Sequence, residues 1–179
     1  DVSEKVELLA QEADIVFGSH LRQDVVPKGI YSEKSALYPP TVLVCRQPLQ
    51  AKNIHNVEAF GPVVTLMPYS TEADLATLVA RGEGSLVASI VRNTDENIES
   101  LVAKIAPWHG RLHILDSQSA RESTGHGSPL PLLVHGGPGR AGGGEELGGL
   151  RAVKHYMQRT ALQGSPNVLT QIGHRWTAG

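Results

Sequence analysis

The segment Val2 to Ala13 carries Val6, Leu9, Ala10 and Ala13 at the spacing of a helix with one buried stripe, and the short apolar run DIVF follows. A helix and then a strand are predicted. TVLVC, a β-branched run behind Pro39 and Pro40, and VVTLM, behind VEAFGP, read as two further strands. Thr71 with Asp74 has the form of a capping box, and Leu75, Leu78, Val79 and Gly82 continue from it at helical spacing. SLVASIV then reads as a buried strand. Asn93 or Thr94 is placed to cap the next helix, whose Ile98, Leu101, Val102 and Ile105 stand at i, i+3, i+4 and i+7, and Pro107 and Gly110 are expected to end it before RLHIL. Strand, helix, strand, helix, strand from Val63 to Leu115 predicts an α/β fold: an open, mostly parallel sheet with flanking helices and right-handed crossovers. About thirty residues without periodicity come next, a length more often functional than idle. HYMQRTALQ, residues 155–163, then alternates with period two behind a helix weakened by Gly148 and Gly149, so an extended strand leaving the globular body is expected there.

Composition changes this picture mainly by exclusion. With 179 residues, 40% hydrophobic, the chain can bury a sizeable core. Its formal charge of −2 and pI near 6.5 supply no basic stripe, which argues against nucleic acid as a partner. No apolar run nears the ~20 residues of a membrane span and no signal-peptide pattern opens the chain, so a soluble cytoplasmic protein is expected. The single cysteine, Cys45, excludes an internal disulfide and a multi-cysteine zinc site. His109 and His113 stand four apart, but Gly110 lies between them and RLHIL reads as strand; with HExxH also absent, no metal site is expected. No GxSxG elbow anchors a serine hydrolase. The helical opening at Asp1 and the polar ending GHRWTAG both read as cut from a longer chain.

Two stretches invite a ligand. GPGRAG, residues 137–142, satisfies GxGxxG behind PLLV and ahead of EELGGLRAV. Glu145 and Glu146 would occupy the positive end of that helix and repel a pyrophosphate, and no strand ending in an acid completes the unit, so close backbone contact is the better reading. VEAFGP, residues 57–62, is more informative. In an extended chain the period of two places Glu58 and Phe60 on one face, and Gly61–Pro62 can turn the chain into VVTLM. Carboxylate and ring would then meet at the mouth of a strand, where open α/β sheets bind ligands. A solvated Glu beside a core Phe is the competing reading.

VEAFGPVVTL resembles the Glu-x-Phe-Gly-Pro motif of the aldehyde dehydrogenase superfamily. YPPTVLV upstream resembles its Pro-Thr-Val strand, STEADLATLVARGEGSLVASIVRNTDENIESLVAKI follows its alternation of helix and strand, and HGGPGRAGGGEELG is similar to its closing glycine-rich segment. Within the superfamily, RESTGHGSPLPLLVHGGPGRAGGGEELGGLRAVKHYMQRTALQGSP resembles the branch that oxidises CoA-linked semialdehydes in phenylacetate and benzoyl-CoA catabolism.

The resemblance implies that Glu58 holds the hydroxyls of a nicotinamide ribose and that Phe60 borders the nicotinamide, with NADP or NAD as hydride acceptor. A carboxylate suits two adjacent hydroxyls because it accepts from both. It also implies that the nucleophilic cysteine, the general-base glutamate and the Rossmann domain lie upstream, so no catalytic residue falls in this chain and Cys45, in the Pro-Thr-Val strand, is not the nucleophile. His135 stands where many relatives carry an aromatic residue before Gly-Gly; with His126 in the long loop it becomes a candidate contact for a CoA-linked semialdehyde. The implied organisation is the C-terminal part of the catalytic domain over 1–154, an oligomerisation extension over 155–172 that pairs with another subunit in a homo-oligomer, and over 173–179 the start of a linker, in some relatives to an enoyl-CoA-hydratase-like domain. The competing classes are a self-contained nucleotide-binding module built on GPGRAG and a non-catalytic assembly piece.

Overall fold

The computed structural model describes residues 1–18, 37–123, 137–141, 153, 157 and 159–178. The chain divides into two units, Asp1–Leu78 and Val79–Gly179. In the first, helix α1 (Val2–Leu9) buries Val6 and Leu9, two of the residues whose spacing predicts it. Strand β1 (Asp14–Phe17) pairs antiparallel with β2 (Thr41–Val44), and β2 pairs parallel with β3 (Val63–Leu66), with Thr41 opposite Val63 and Val44 opposite Leu66. The pleat of β2 aims Thr41 and Leu43 inward, and Cys45 continues that alternation. Leu9, Ala13, Leu43 and Cys45 form the core cluster, on which Ile54, Val57, Ala59 and Val63 pack. Cys45, 1% exposed, is a small apolar filler there; a sulfur sealed in apolar surroundings packs rather than attacks. A single helical turn, α2 (Asn53–Asn56), precedes VEAFGP and was not foreseen from periodicity.

Helix α3 (Glu72–Arg81) starts at the expected capping box: Asp74 N–H donates to Thr71 Oγ1 and Thr71 N–H to Asp74 Oδ2, both at 3.1 Å. In the second unit β4 (Ser85–Val91), β5 (His109–Leu115) and β6 (Ala161–Gln163) run parallel in that order, with α4 (Glu99–Ile105) and a 3-10 turn (Ala106–Trp108) between β4 and β5. β5 is buried from His109 to Ile114, as befits a central parallel strand. Helix α5 (Pro166–Gly173), entered through Ser165 with Pro166 in its first turn, closes the described chain.

Several expectations need correction. The strands from Val63 to Leu115 do not form one sheet: β3 joins β1 and β2, whereas β4 and β5 belong to a second sheet with β6. β4 is only half-buried, and Val91 is 80% exposed. α4 begins at Glu99 rather than after Asn93 or Thr94, and Asn97 Oδ1 accepts its first N–H at 2.9 Å. Gly110 lies inside β5, because the 3-10 turn at Pro107 has already ended the helix. The alternating stretch near residue 160 does not stand alone either: Ala161–Gln163 pairs within the chain, Leu112 opposite Leu162 and His113 opposite Gln163, and Pro166–Gly173 is helical.

Candidate functional site

The segment leading into β3 is extended, as period two requires. Val57 and Ala59 pack on the core, whereas Glu58 is exposed and Phe60 keeps 88% of its surface open. Leaving a phenylalanine in water forgoes roughly 1.5–3 kcal/mol of burial. Both residues line an open cleft of about 520 Å3, together with Val57, Ala59, Leu9, Ile54, Val63 and Thr65. The local geometry explains the fixed presentation. Gly61 N–H donates to the Ala59 carbonyl at 2.7 Å and Val63 N–H to the Gly61 carbonyl at 2.7 Å, two successive three-residue turns, the second centred on Pro62, whose ring sets the φ that such a turn needs. Thr41 N–H then donates to the Pro62 carbonyl at 2.9 Å and begins the β2–β3 ladder. Gly61 does not use a positive φ here. What favours glycine here is approach: a Cβ would lie 3.0 Å from Val2 Cγ1, tighter than most Cβ contacts.

GPGRAG is used for backbone contact over its described part. Gly84, at φ +112°, and Gly139, at φ +51°, interlock so closely that a Cβ on Gly139 would lie 1.9 Å from the Glu83 carbonyl oxygen and one on Gly84 would lie 2.3 Å from that of Pro138. Arg140 N–H donates to the same Glu83 carbonyl at 3.0 Å, and its guanidinium meets the Glu83 carboxylate at 3.1 Å.

A second cavity, about 320 Å3, opens at the C-terminal edge of β5 and β6, lined by His113, Gln118, Ser119, Glu122, Ser123 and Gln163 among others. Ser123 Oγ and His113 Nε2 stand 2.5 Å apart. Burial, and secondarily the charge of Arg111, lowers the His113 pKa, favouring the uncharged ring. Beneath it Asp116 takes N–H groups of Gln118 and Ser119 and the hydroxyls of Ser119 and Ser165. Burial works against its charge, but these donors prevail and its pKa is lowered. Arg92 lies 3.7 Å away, its guanidinium turned to the Thr94 and Glu96 carbonyls. His113 drew attention in the sequence only as half of a rejected metal pair; a loop contact ten residues ahead leaves no periodic signal.

The structure thus brings Glu58 and Phe60 together, while His126 and His135 lie outside the described residues. Among the described residues no three metal-ligating side chains converge, and no helix is long and apolar enough to cross a membrane.

The model of the aldehyde dehydrogenase family matches residues 3–162, and the chain belongs to that family. It is 50% identical over 180 aligned positions to Protein MaoC of Klebsiella aerogenes, covering all of this chain and 51% of that protein. It is 40% identical over 130 positions to the 3,4-dehydroadipyl-CoA semialdehyde dehydrogenase of Aromatoleum evansii, covering 73% of this chain and 25% of that protein. The chain therefore spans about half the length of one relative and about a quarter of the other.

Proposed function

We propose that this chain is part of an NAD(P)-dependent aldehyde dehydrogenase that oxidises a CoA-linked semialdehyde to the acid in aromatic-compound catabolism, on the phenylacetate route. Family membership supports the oxidoreductase class, and the name of the Aromatoleum relative supports a CoA-linked semialdehyde. The observation that carries the cofactor assignment is the exposure of Glu58 and Phe60 on a braced segment that lines an open cleft. Glu58 offers two acceptor oxygens to the vicinal hydroxyls of a ribose, and Phe60 offers an open ring face to the nicotinamide. The bound cofactor supplies the hydride acceptor; these two residues hold and orient it.

In the full-length protein, Glu58→Ala is expected to lower cofactor efficiency by about one to two decades, the loss of charge-assisted hydrogen bonds of roughly 1.5–3 kcal/mol. Unchanged efficiency in a folded variant, with NAD and with NADP, returns Glu58 to a merely solvated carboxylate.

On the substrate side, residues 122–135, with His126 and His135, are read as the entrance for the CoA-linked substrate. Support comes from Glu122 and Ser123, which line the second cavity. His135→Phe should shift the preference between CoA semialdehydes and simple aldehydes; an equal change towards both removes His135 from substrate selection. The benzoyl-CoA oxidation route is the second reading; the name of the same relative supports a CoA-linked semialdehyde, and turnover of the two semialdehydes by the full-length protein separates the routes. The same reading includes a homo-oligomer. β6 is last in its sheet among the described residues, and such an edge is open to pairing with another subunit. Light scattering showing the full-length protein monomeric at tens of micromolar removes the assembly part.

A further inference from the structure

The presentation of Glu58 and Phe60 depends on what holds the ends of their segment, and α1 with the turn after it reaches both. At the near end, the Glu12 carboxylate accepts the Lys52 N–H on both oxygens, each at 3.0 Å, and the Ile54 N–H at 3.1 Å. The Asn53 side-chain amide donates to the Leu8 carbonyl at 3.5 Å, and His55 Nε2 is 2.8 Å from the Pro48 carbonyl oxygen. At the far end, the Val2 side chain fills the space that a Cβ on Gly61 would need. Between these anchors lie Val57 and Ala59, packed on the core, alternating with the exposed Glu58 and Phe60.

A single turn such as α2 cannot hold itself. One hydrogen-bonded turn fixes several dihedrals for very little, and its first N–H groups have no partner inside it. Glu12 meets that deficit from forty residues away in sequence, and a carboxylate does so better than a neutral side chain because both oxygens accept and the charge complements the aligned N–H dipoles. Burial opposes the charge, yet the backbone N–H groups of Lys52, Ile54 and Asn53 outweigh it and lower the Glu12 pKa.

We propose that Glu12 is a positioning residue for the cofactor-facing pair, setting the start of the extended segment so that Glu58 and Phe60 meet the nicotinamide ribose; this rests on the function proposed for those two residues. Glu12 touches no cofactor itself. It acts through α2.

The test uses the full-length protein with Glu12→Gln, Glu58→Ala and the two combined. Without cofactor, amide exchange should accelerate about tenfold or more in Glu12→Gln at Lys52–Ile54 and on through Val57–Gly61, while the β2–β3 ladder keeps its protection. With cofactor, Glu12→Gln should raise the KM for the oxidised cofactor by about fivefold and leave kcat within about twofold, and the double variant should be no worse than Glu58→Ala alone. Faster exchange confined to Lys52–Ile54 with an unchanged KM makes Glu12 a structural cap only and overturns the proposal, as does a double variant whose losses multiply in full. If Glu58→Ala itself leaves KM unchanged, the reading of the pair has failed and the inference with it; if only Glu12→Gln is silent, the inference alone has failed. Should Glu12→Gln unfold, Glu12→Asp, which keeps the charge at shorter reach, carries the same measurements.

Discussion

At the scale of single residues, the demands on Gly139 and Gly84 come from backbone atoms, which no rotamer change can relieve. Gly139→Ala combines a left-handed φ with a methyl carbon 1.9 Å from the Glu83 carbonyl oxygen. It should destabilise by about 2–4 kcal/mol, the range of mutations with a named steric mechanism. Urea titration checks this, and an unchanged midpoint would mean that the glycine clasp is dispensable. His109 and His113 make a second residue-scale case. Burial lowers the pKa of both, Arg111 adding to the effect at His113, so their folded values lie below the usual 6.5. The unfolded chain then takes the proton first. Their contribution is fully present above about pH 6.5 and declines as pH falls through the window between the unfolded and the lower folded values. Stability should therefore fall on acidification from pH 7, and His113→Gln should make that dependence shallower. A wild-type midpoint that is flat across this window contradicts the assignment.

At the scale of elements, legibility followed the range of the signal. α1 and α3 were readable because their apolar spacing and, for α3, the Thr71–Asp74 box are local; both reciprocal bonds are present, and Thr71→Ala should cost roughly 1 kcal/mol, measurable as a lower Tm. The division into two sheets was not readable, since which strand β3 pairs with is settled by the distant β2. α2 escaped because a four-residue turn has no periodicity, and its stabilising partner Glu12 is forty positions away. At the candidate site, period two alone put Glu58 and Phe60 on one side, but the reason for Gly61 was hidden. It lies in Val2, an element away, which yields a compensation test. Gly61→Ala should destabilise by about 1 kcal/mol through overlap with the Val2 methyls, and Val2→Ala in the same chain should recover most of that loss. Strictly additive losses in the double variant would show that Val2 is not the obstacle.

At the scale of the whole molecule, the question is how much chemistry this chain contains. Aldehyde oxidation of the proposed kind needs a thiolate that reaches the aldehyde and a base that activates water. The one cysteine here is 1% exposed within the core cluster of the first unit, directly after β2. What the chain does hold is the pair proposed to face the cofactor, Glu58 and Phe60, and the polar cavity beyond β5 and β6 lined by His113, Ser119, Glu122 and Ser123. The chain spans about half of one relative and a quarter of the other, so the nucleophile is expected in sequence that those proteins carry outside the shared stretch. On its own, residues 1–179 should oxidise no semialdehyde with NAD or NADP, and Cys45→Ala should leave the activity of the full-length protein unchanged apart from a modest loss of stability from the small cavity it creates. Turnover by the pure chain, or loss of activity in a folded Cys45→Ala full-length variant, would place the reacting thiol in this chain after all and undo the division of labour argued from its burial.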